Sequence, residues 1–264
     1  MKRYSFLCCI AFCISSGSTD AHYHMLIPNK SSVKSGDEVI FTYKFGHPFE
    51  QDIADAREPE SVLVHLPNGK VLDLKDKLSK IEIAGEKGKK QVGFQLAYKP
   101  EQRGDHIVVF TAQPVLLDGD KRPVHDTVKV TLHVQTEIRW DSPLAHGKEQ
   151  RADLIPLTRP YGLRTGMLFR ATFYDLAPKP NVAIAPIPHA NVEIERYNSE
   201  TPKDLPPEEH ITYTARTDEK GVLAATLPDH GWWAVTAFKS TRSAIYRCTL
   251  WVHVDGKIPL KPAD

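Results

Sequence analysis

The sequence predicts an all-β protein built as two tandem immunoglobulin-like antiparallel β-sandwiches. Three observations carry that expectation. Apolar and polar residues alternate along most of the chain, turn residues separate the alternating runs, and the pattern repeats once. Alternation places successive side chains on opposite faces of a half-buried strand, and helical spacing is nearly absent.

The strands follow in order. Glu38 to Phe45, Gln91 to Tyr98 and Thr127 to Val134 alternate cleanly, and so do Met167 to Tyr174, Ala190 to Arg196 and Ile211 to Arg216. Val222 to Leu227, Trp232 to Phe238 and Ile245 to Val254 complete the series. Turns such as Pro67-Asn68-Gly69 and Asp218-Glu219-Lys220-Gly221 close hairpins between them.

The repeat sets the domain plan. Val33-Lys34-Ser35-Gly36 leads into the strand ending at Phe45, as Leu163-Arg164-Thr165-Gly166 leads into the strand ending at Tyr174. Gly104 before Thr111-Ala112 matches Gly231 before Thr236-Ala237, at nearly the same distance from the first glycine of each unit. Residues 22–136 are therefore expected to form the first sandwich and 150–264 the second. Their junction falls between Thr136 and Gln150, where Pro143, Gly147 and several charges interrupt the alternation. The proline-rich stretches Ala177 to His189 and Asn198 to His210 are expected to be surface connections, since proline donates nothing to a ladder.

Residues 1–21 look like a secretory signal. Lys2 and Arg3 precede an apolar run from Leu7 to Ile14, and Thr19-Asp20-Ala21 ends with small residues where a signal peptidase cuts. The run is far short of the roughly 20 residues that a membrane span needs, and Phe12 before Cys13 argues against lipid attachment. The mature chain is thus expected to be periplasmic or secreted and not membrane-spanning. Cleavage removes Lys2, Arg3 and Asp20, so the formal charge of +1 falls to zero and leaves no basic field for nucleic acid. It also removes Cys8, Cys9 and Cys13, leaving Cys248 on the alternating face of Tyr246, Leu250 and Val252 as a buried, inert thiol.

Hydrolase signatures are missing: there is no Gly-x-Ser-x-Gly elbow, His-Glu-x-x-His helix, phosphate-cradling loop or Cys-x-x-Cys pair. The chain is read as a binding protein, not an enzyme. Of the Trp232-Trp233 pair, one indole should enter the core and the other a sheet surface or the contact between sandwiches.

Histidine is the residue type that points to chemistry. Cleavage after Ala21 would make His22 the first residue, and its amine, two backbone amides and the His24 imidazole could wrap Ni(II) or Cu(II) in a plane of nitrogens. A competing geometry chelates the ion with the amine and ring of His22 and closes a T-shaped site with His47, held in Gly46-His47-Pro48-Phe49-Glu50, with Glu50 orienting the ring. His106 and the His125-Asp126 pair are weaker candidates.

The chain resembles a family of exported bacterial proteins of unknown function that is described as a periplasmic component of nickel or cobalt transport. Ala21-His22, Gly46-His47-Pro48-Phe49-Glu50, the run from Leu154 to Gly166, Thr217 to Gly221 and Gly231-Trp232-Trp233 carry the resemblance. It implies a transition-metal connection in which His22 and His47 are the recurring histidines. The expected cofactor is Ni(II) or Co(II), with Cu(II) as the rival, and the expected partner is a membrane transporter or receptor component. A sandwich module without metal is the further alternative.

Overall fold

The computed structural model describes residues 22–85, 89–116, 121–142, 151–176 and 184–256. The expected signal peptide lies outside the described residues.

The first half runs β1 (Tyr23–Pro28), β2 (Ser32–Val33), β3 (Val39–Gly46), β4 (Ile53–Ala54), β5 (Ser61–His65), β6 (Val71–Asp73), β7 (Leu78–Ala84), β8 (Lys90–Tyr98), β9 (Gly104–Thr111), β10 (Val115–Leu116) and β11 (Pro123–Val134). The second runs β12 (Ala152–Pro156), β13 (Leu163–Arg164), β14 (Leu168–Asp175), β15 (Ala185–Pro186), β16 (Asn191–Arg196), β17 (Thr212–Arg216), β18 (Val222–Thr226), β19 (Gly231–Ser240) and β20 (Ile245–Asp255). The helical turns among the described residues are two short 3₁₀ segments, Lys75–Lys77 and Glu208–His210.

The two halves copy each other strand by strand. β1 pairs with β3 and β3 with β8, as β12 pairs with β14 and β14 with β18. β2 runs parallel to the end of β11, as β13 does to the end of β20. The matching glycines also share backbone geometry: Gly36 and Gly166 have φ of 86° and 80°, Gly104 and Gly231 121° and 114°. An L side chain rarely adopts such angles, so each glycine holds the same turn in both copies.

One feature departs from two separate antiparallel sandwiches. β11 and β20, the last strands of the two copies, pair in parallel from Val124↔Ile245 to Val130↔Trp251. They join the back sheets into one sheet ordered β17-β16-β19-β20-β11-β9-β5-β6. A five-stranded sheet around β1-β3-β8-β7 covers one end of this sheet, and a four-stranded sheet around β12-β14-β15 covers the other.

Two cores result. Phe41, Tyr43, Leu96, Phe110 and Leu132 anchor the first. Phe169, Phe173, Trp233 and Leu250 anchor the second, with Cys248 among them. Burial pushes the Cys248 thiol up to about 12, as expected of an inert cysteine. The cores are not independent, because Trp251 from β20 is fully buried in the first. Of the tandem indoles, Trp233 fills the second core, whereas Trp232 packs against the first from the second half.

The seam buries charge. Asp126 on β11 faces Arg247 on β20 in register, and the guanidinium donates to both carboxylate oxygens at 2.5 and 2.6 Å. Both side chains are almost sealed from solvent. Removing one partner of such a pair leaves an uncompensated buried charge, which costs about 3–5 kcal/mol. Asp126→Ala should therefore lower unfolding free energy by about that amount in urea denaturation, with Arg247→Ala similarly destabilising.

Candidate metal centre

Strand register brings His22 and His47 together. Tyr23 pairs with Gly46, so the residues one step beyond, His22 and His47, face each other where the strands part. Their ring centroids lie 4.4 Å apart with the planes 52° to one another. The Phe45 ring stacks on His22 at 5.3 Å and leans on His24 at 4.7 Å, which fixes the orientation of the His22 ring.

The His47 loop is built to close tightly. Gly46 has φ of 147°, and a Cβ there would sit 2.1 Å from the Asp52 carbonyl oxygen. His47 N–H donates to that carbonyl at 2.9 Å, and Gln51 N–H returns to the His47 carbonyl at 3.0 Å. The second half of the protein grips the same loop. Asn198 donates from its backbone N–H to the Pro48 carbonyl and from its side chain to the Phe49 carbonyl, while Phe49 N–H donates to Glu195 Oε1.

A shared ion sets a distance test. With metal–nitrogen bonds of about 2.0–2.1 Å, a ring centre lies roughly 3.2 Å from the ion, so cis imidazoles have centres about 4.5 Å apart and trans imidazoles about 6.4 Å. The observed 4.4 Å fits the cis arrangement. The T-shaped site expected from the sequence, with one ring opposite the other, needs a gap of about 6.4 Å and does not match this separation. Burial, then the charge of His47, lowers the His22 pKa against the pull of Asp52, which keeps the ring in its neutral, ligating form. Among the described residues, no three His, Cys, Asp or Glu side chains form a group that could hold a metal. A third protein donor would have to come from elsewhere, and an amine on His22, were the chain cut before it, would be the nearest by connectivity.

The other candidates are placed differently. His24 is buried within β1, where the Tyr43 hydroxyl meets Nδ1 at 2.7 Å and Nε2 lies 3.7 Å from Asp126 Oδ2. Burial lowers its pKa to about 4, so the ring is neutral, but it is committed to this contact and not turned to the His22–His47 pair. Wrapping an ion with the Tyr23 and His24 amides would also break the start of the β1–β3 ladder. His106 is spent on both nitrogens, with Nδ1 to Tyr98 Oη at 2.8 Å and Nε2 to the Gln102 carbonyl at 2.9 Å. Asp126 is taken by Arg247, and His125 stacks on Tyr246. Glu50 lines a cleft beside His47, but the structure records no bond from it to either imidazole.

That cleft, of about 640 Å³, is lined by His47, Tyr23 and four glutamates: Glu50, Glu193, Glu208 and Glu209. Sequence reasoning passed over the last three. The alternation Glu193-Ile194-Glu195 put two acids on one face of β16, and that signal was available. The Asn198 to His210 stretch, expected to be only a connection, supplies both Asn198 and the Glu208-Glu209 wall. Glu195 is 1% exposed, and burial pushes its carboxyl up to about 8 against the bonds from Phe49 and Thr212 that favour the charged form.

Fold and site together define a tandem β-sandwich protein with a histidine pair at the start of its first strand. The chain belongs to the family described as Domain of unknown function (DUF4198), whose profile matches residues 19–241. No curated protein matches it. Among solved structures, a DUF4785 family protein from Legionella pneumophila is similar at 11% identity and a TM-score of 0.31, over 83% of this chain and 54% of that one. The chain thus spans about half the length of that protein. The D0-D1 domain of intimin aligns at 12% identity and TM-score 0.21 over 87% and 98%, and the Yersinia pseudotuberculosis adhesin InvE at 13% and 0.25 over 90% and 60%.

Two outcomes check this geometry. Gly46→Ala should destabilise the protein by about 2 kcal/mol or more, read by urea denaturation, because the added carbon collides with backbone and the backbone angle suits only glycine. Glu195 has a folded pKa above its unfolded value, so its stabilising contribution is complete at acidic pH and is lost as pH rises through about 8. Glu195→Gln should therefore show a flatter dependence of stability on pH between about 5 and 8 than the wild type.

Proposed function

We propose that this is an exported transition-metal binding protein that captures Ni(II) or Co(II) through His22 and His47 and passes it to a membrane uptake component. The observation that carries the reading is the 4.4 Å apposition of the two imidazoles at a strand end set by register. Processing after Ala21 would add the His22 amine and place it on the same ion as a chelate ring. Three nitrogens would then leave open positions for water or for a receiving protein's ligand, which suits an ion that must be released.

Copper is the second reading, favoured by the intrinsic preference of nitrogen donors for Cu(II). The cis separation of the rings supports a chelate of either ion over a T-shaped copper site. No helix among the described residues is long and apolar enough to cross a membrane, which fits a role beside a membrane component but says nothing of barrels.

Isothermal titration of protein processed to begin at His22, with Ni(II), Co(II) and Cu(II), tests the proposal. Binding should be micromolar or tighter and should weaken at least tenfold in His22→Ala, in His47→Ala and in protein carrying one extra N-terminal residue, a loss of about 1.4 kcal/mol or more. His24→Gln should leave affinity within a few-fold of wild type. Failure of all three ions to bind, or indifference to the extra residue, removes the amine-dependent site.

A further inference from the structure

Lys129 and Asp153 meet in the interior where the two halves join. Lys129 lies near the middle of β11, the last strand of the first copy, and Asp153 is the second residue of β12, the first strand of the second copy. Nζ contacts Asp153 Oδ1, and the two side chains are 2% and 0% exposed. Cys248 on β20 points its sulfur at the same oxygen from 3.7 Å. Leu154 and Leu250, which flank the pair in sequence or in register, are also fully buried.

Two full charges placed in such a site lose several kcal/mol of hydration each, and their attraction only partly offsets the loss. An amide made from the same two groups keeps one N–H donor and one carbonyl acceptor but carries no charge. We propose that Lys129 and Asp153 are joined by an intramolecular isopeptide bond that the folded protein forms by itself.

The chemistry is a condensation that needs no oxidant and no co-reactant. An ammonium proton moves from Nζ to Asp153 Oδ1, the oxygen it contacts, which cancels both charges, and the freed Nζ lone pair attacks Cγ. As the N–Cγ bond forms, negative charge develops on Oδ2, while the Cys248 thiol is directed as a hydrogen-bond donor at Oδ1 and assists its departure. Burial pushes that thiol up to about 12, so it keeps its proton for this role. The Cγ–Oδ1 bond then breaks, and the oxygen, already carrying the first proton, leaves with a second amine proton as one water. Fixed apposition replaces a bimolecular encounter, and effective molarities for well-oriented groups reach about 10⁵ M or more. Expulsion of water from a sealed site opposes the reverse reaction.

The bond would clamp the end of the first copy to the start of the second. It is independent of metal binding, so its test does not depend on the function proposed above.

Intact-mass measurement of the full chain under denaturing conditions decides the matter. The folded wild type should weigh about 18 Da, one water, less than its processed sequence. Proteolysis and tandem mass spectrometry should yield a branched peptide linking Lys129 to Asp153. Lys129→Arg keeps the ion pair but offers no primary amine, and should show full mass. Wild type at full mass overturns the proposal, and so does a water loss that persists in Lys129→Arg. Cys248→Ala should retain the fold, and slower appearance of the lighter species during refolding is expected; an unchanged rate would remove the thiol from the reaction.

Discussion

The parallel pairing of β11 with β20 is the constraint on which the rest of the molecule depends. It turns two duplicated sandwiches into one body by joining their back sheets, and the Asp126–Arg247 pair sits within it. A side-by-side contact between sandwiches would leave both last strands as open edges, which invite pairing with other chains. Pairing them with each other closes both edges at once. It also buries the polar positions of β11, so Thr127, Lys129 and Thr131 are all nearly inaccessible on a strand whose alternation suggests a wet face.

From the seam the order spreads to the histidine pair. Asp126 lies beside His24 Nε2, and the Arg247 guanidinium sits 6.0 Å from the Tyr23 ring centre. Tyr23 in turn donates its hydroxyl to Glu193 on β16. The first two residues of β1 are thereby tied to both copies, which holds the strand in register with β3 up to its last pair. His22 is the next residue out, so its position follows from contacts made by its neighbours and not by its own ring alone. A pair of donors held this way gives up less conformational freedom on binding an ion than two mobile side chains would.

The sequence was readable where one strand alone decides the outcome. Val39, Phe41 and Tyr43 alternate and are buried, Cys248 falls on the apolar face as expected, and the glycine repeat marks the duplication down to its backbone angles. What could not be read is pairing between distant strands. Nothing local in Thr127 to Val134 distinguishes an edge from a seam, because the residues that cover its polar face come from the other copy. β1 and β12 escaped for a related reason: YHMLIP and ADLIP are buried on both faces and lack the period-two signature. The meeting of His22 with His47 was legible because one hairpin-like register fixes it, whereas the commitment of His24 to Tyr43 and Asp126 depends on a third strand.

His22 and His24 show how two residues along a strand separate surroundings. Both rings rest against Phe45 on the same face of β1. His24 is inside the ladder and under the seam, where burial lowers its pKa and its neutral ring is hydrogen-bonded to Tyr43 through Nδ1, with Nε2 3.7 Å from Asp126. His22 is just beyond the ladder, partly open, and next to a backbone amine that exists only if the chain is cut before it. The physical difference between the two histidines is thus position relative to the last strand pair. If the ladder extended one residue further, the backbone of His22 would be drawn into strand pairing. The separation of β1 from β3 at Tyr23–Gly46, enforced by the backbone of Gly46, is what keeps that end open.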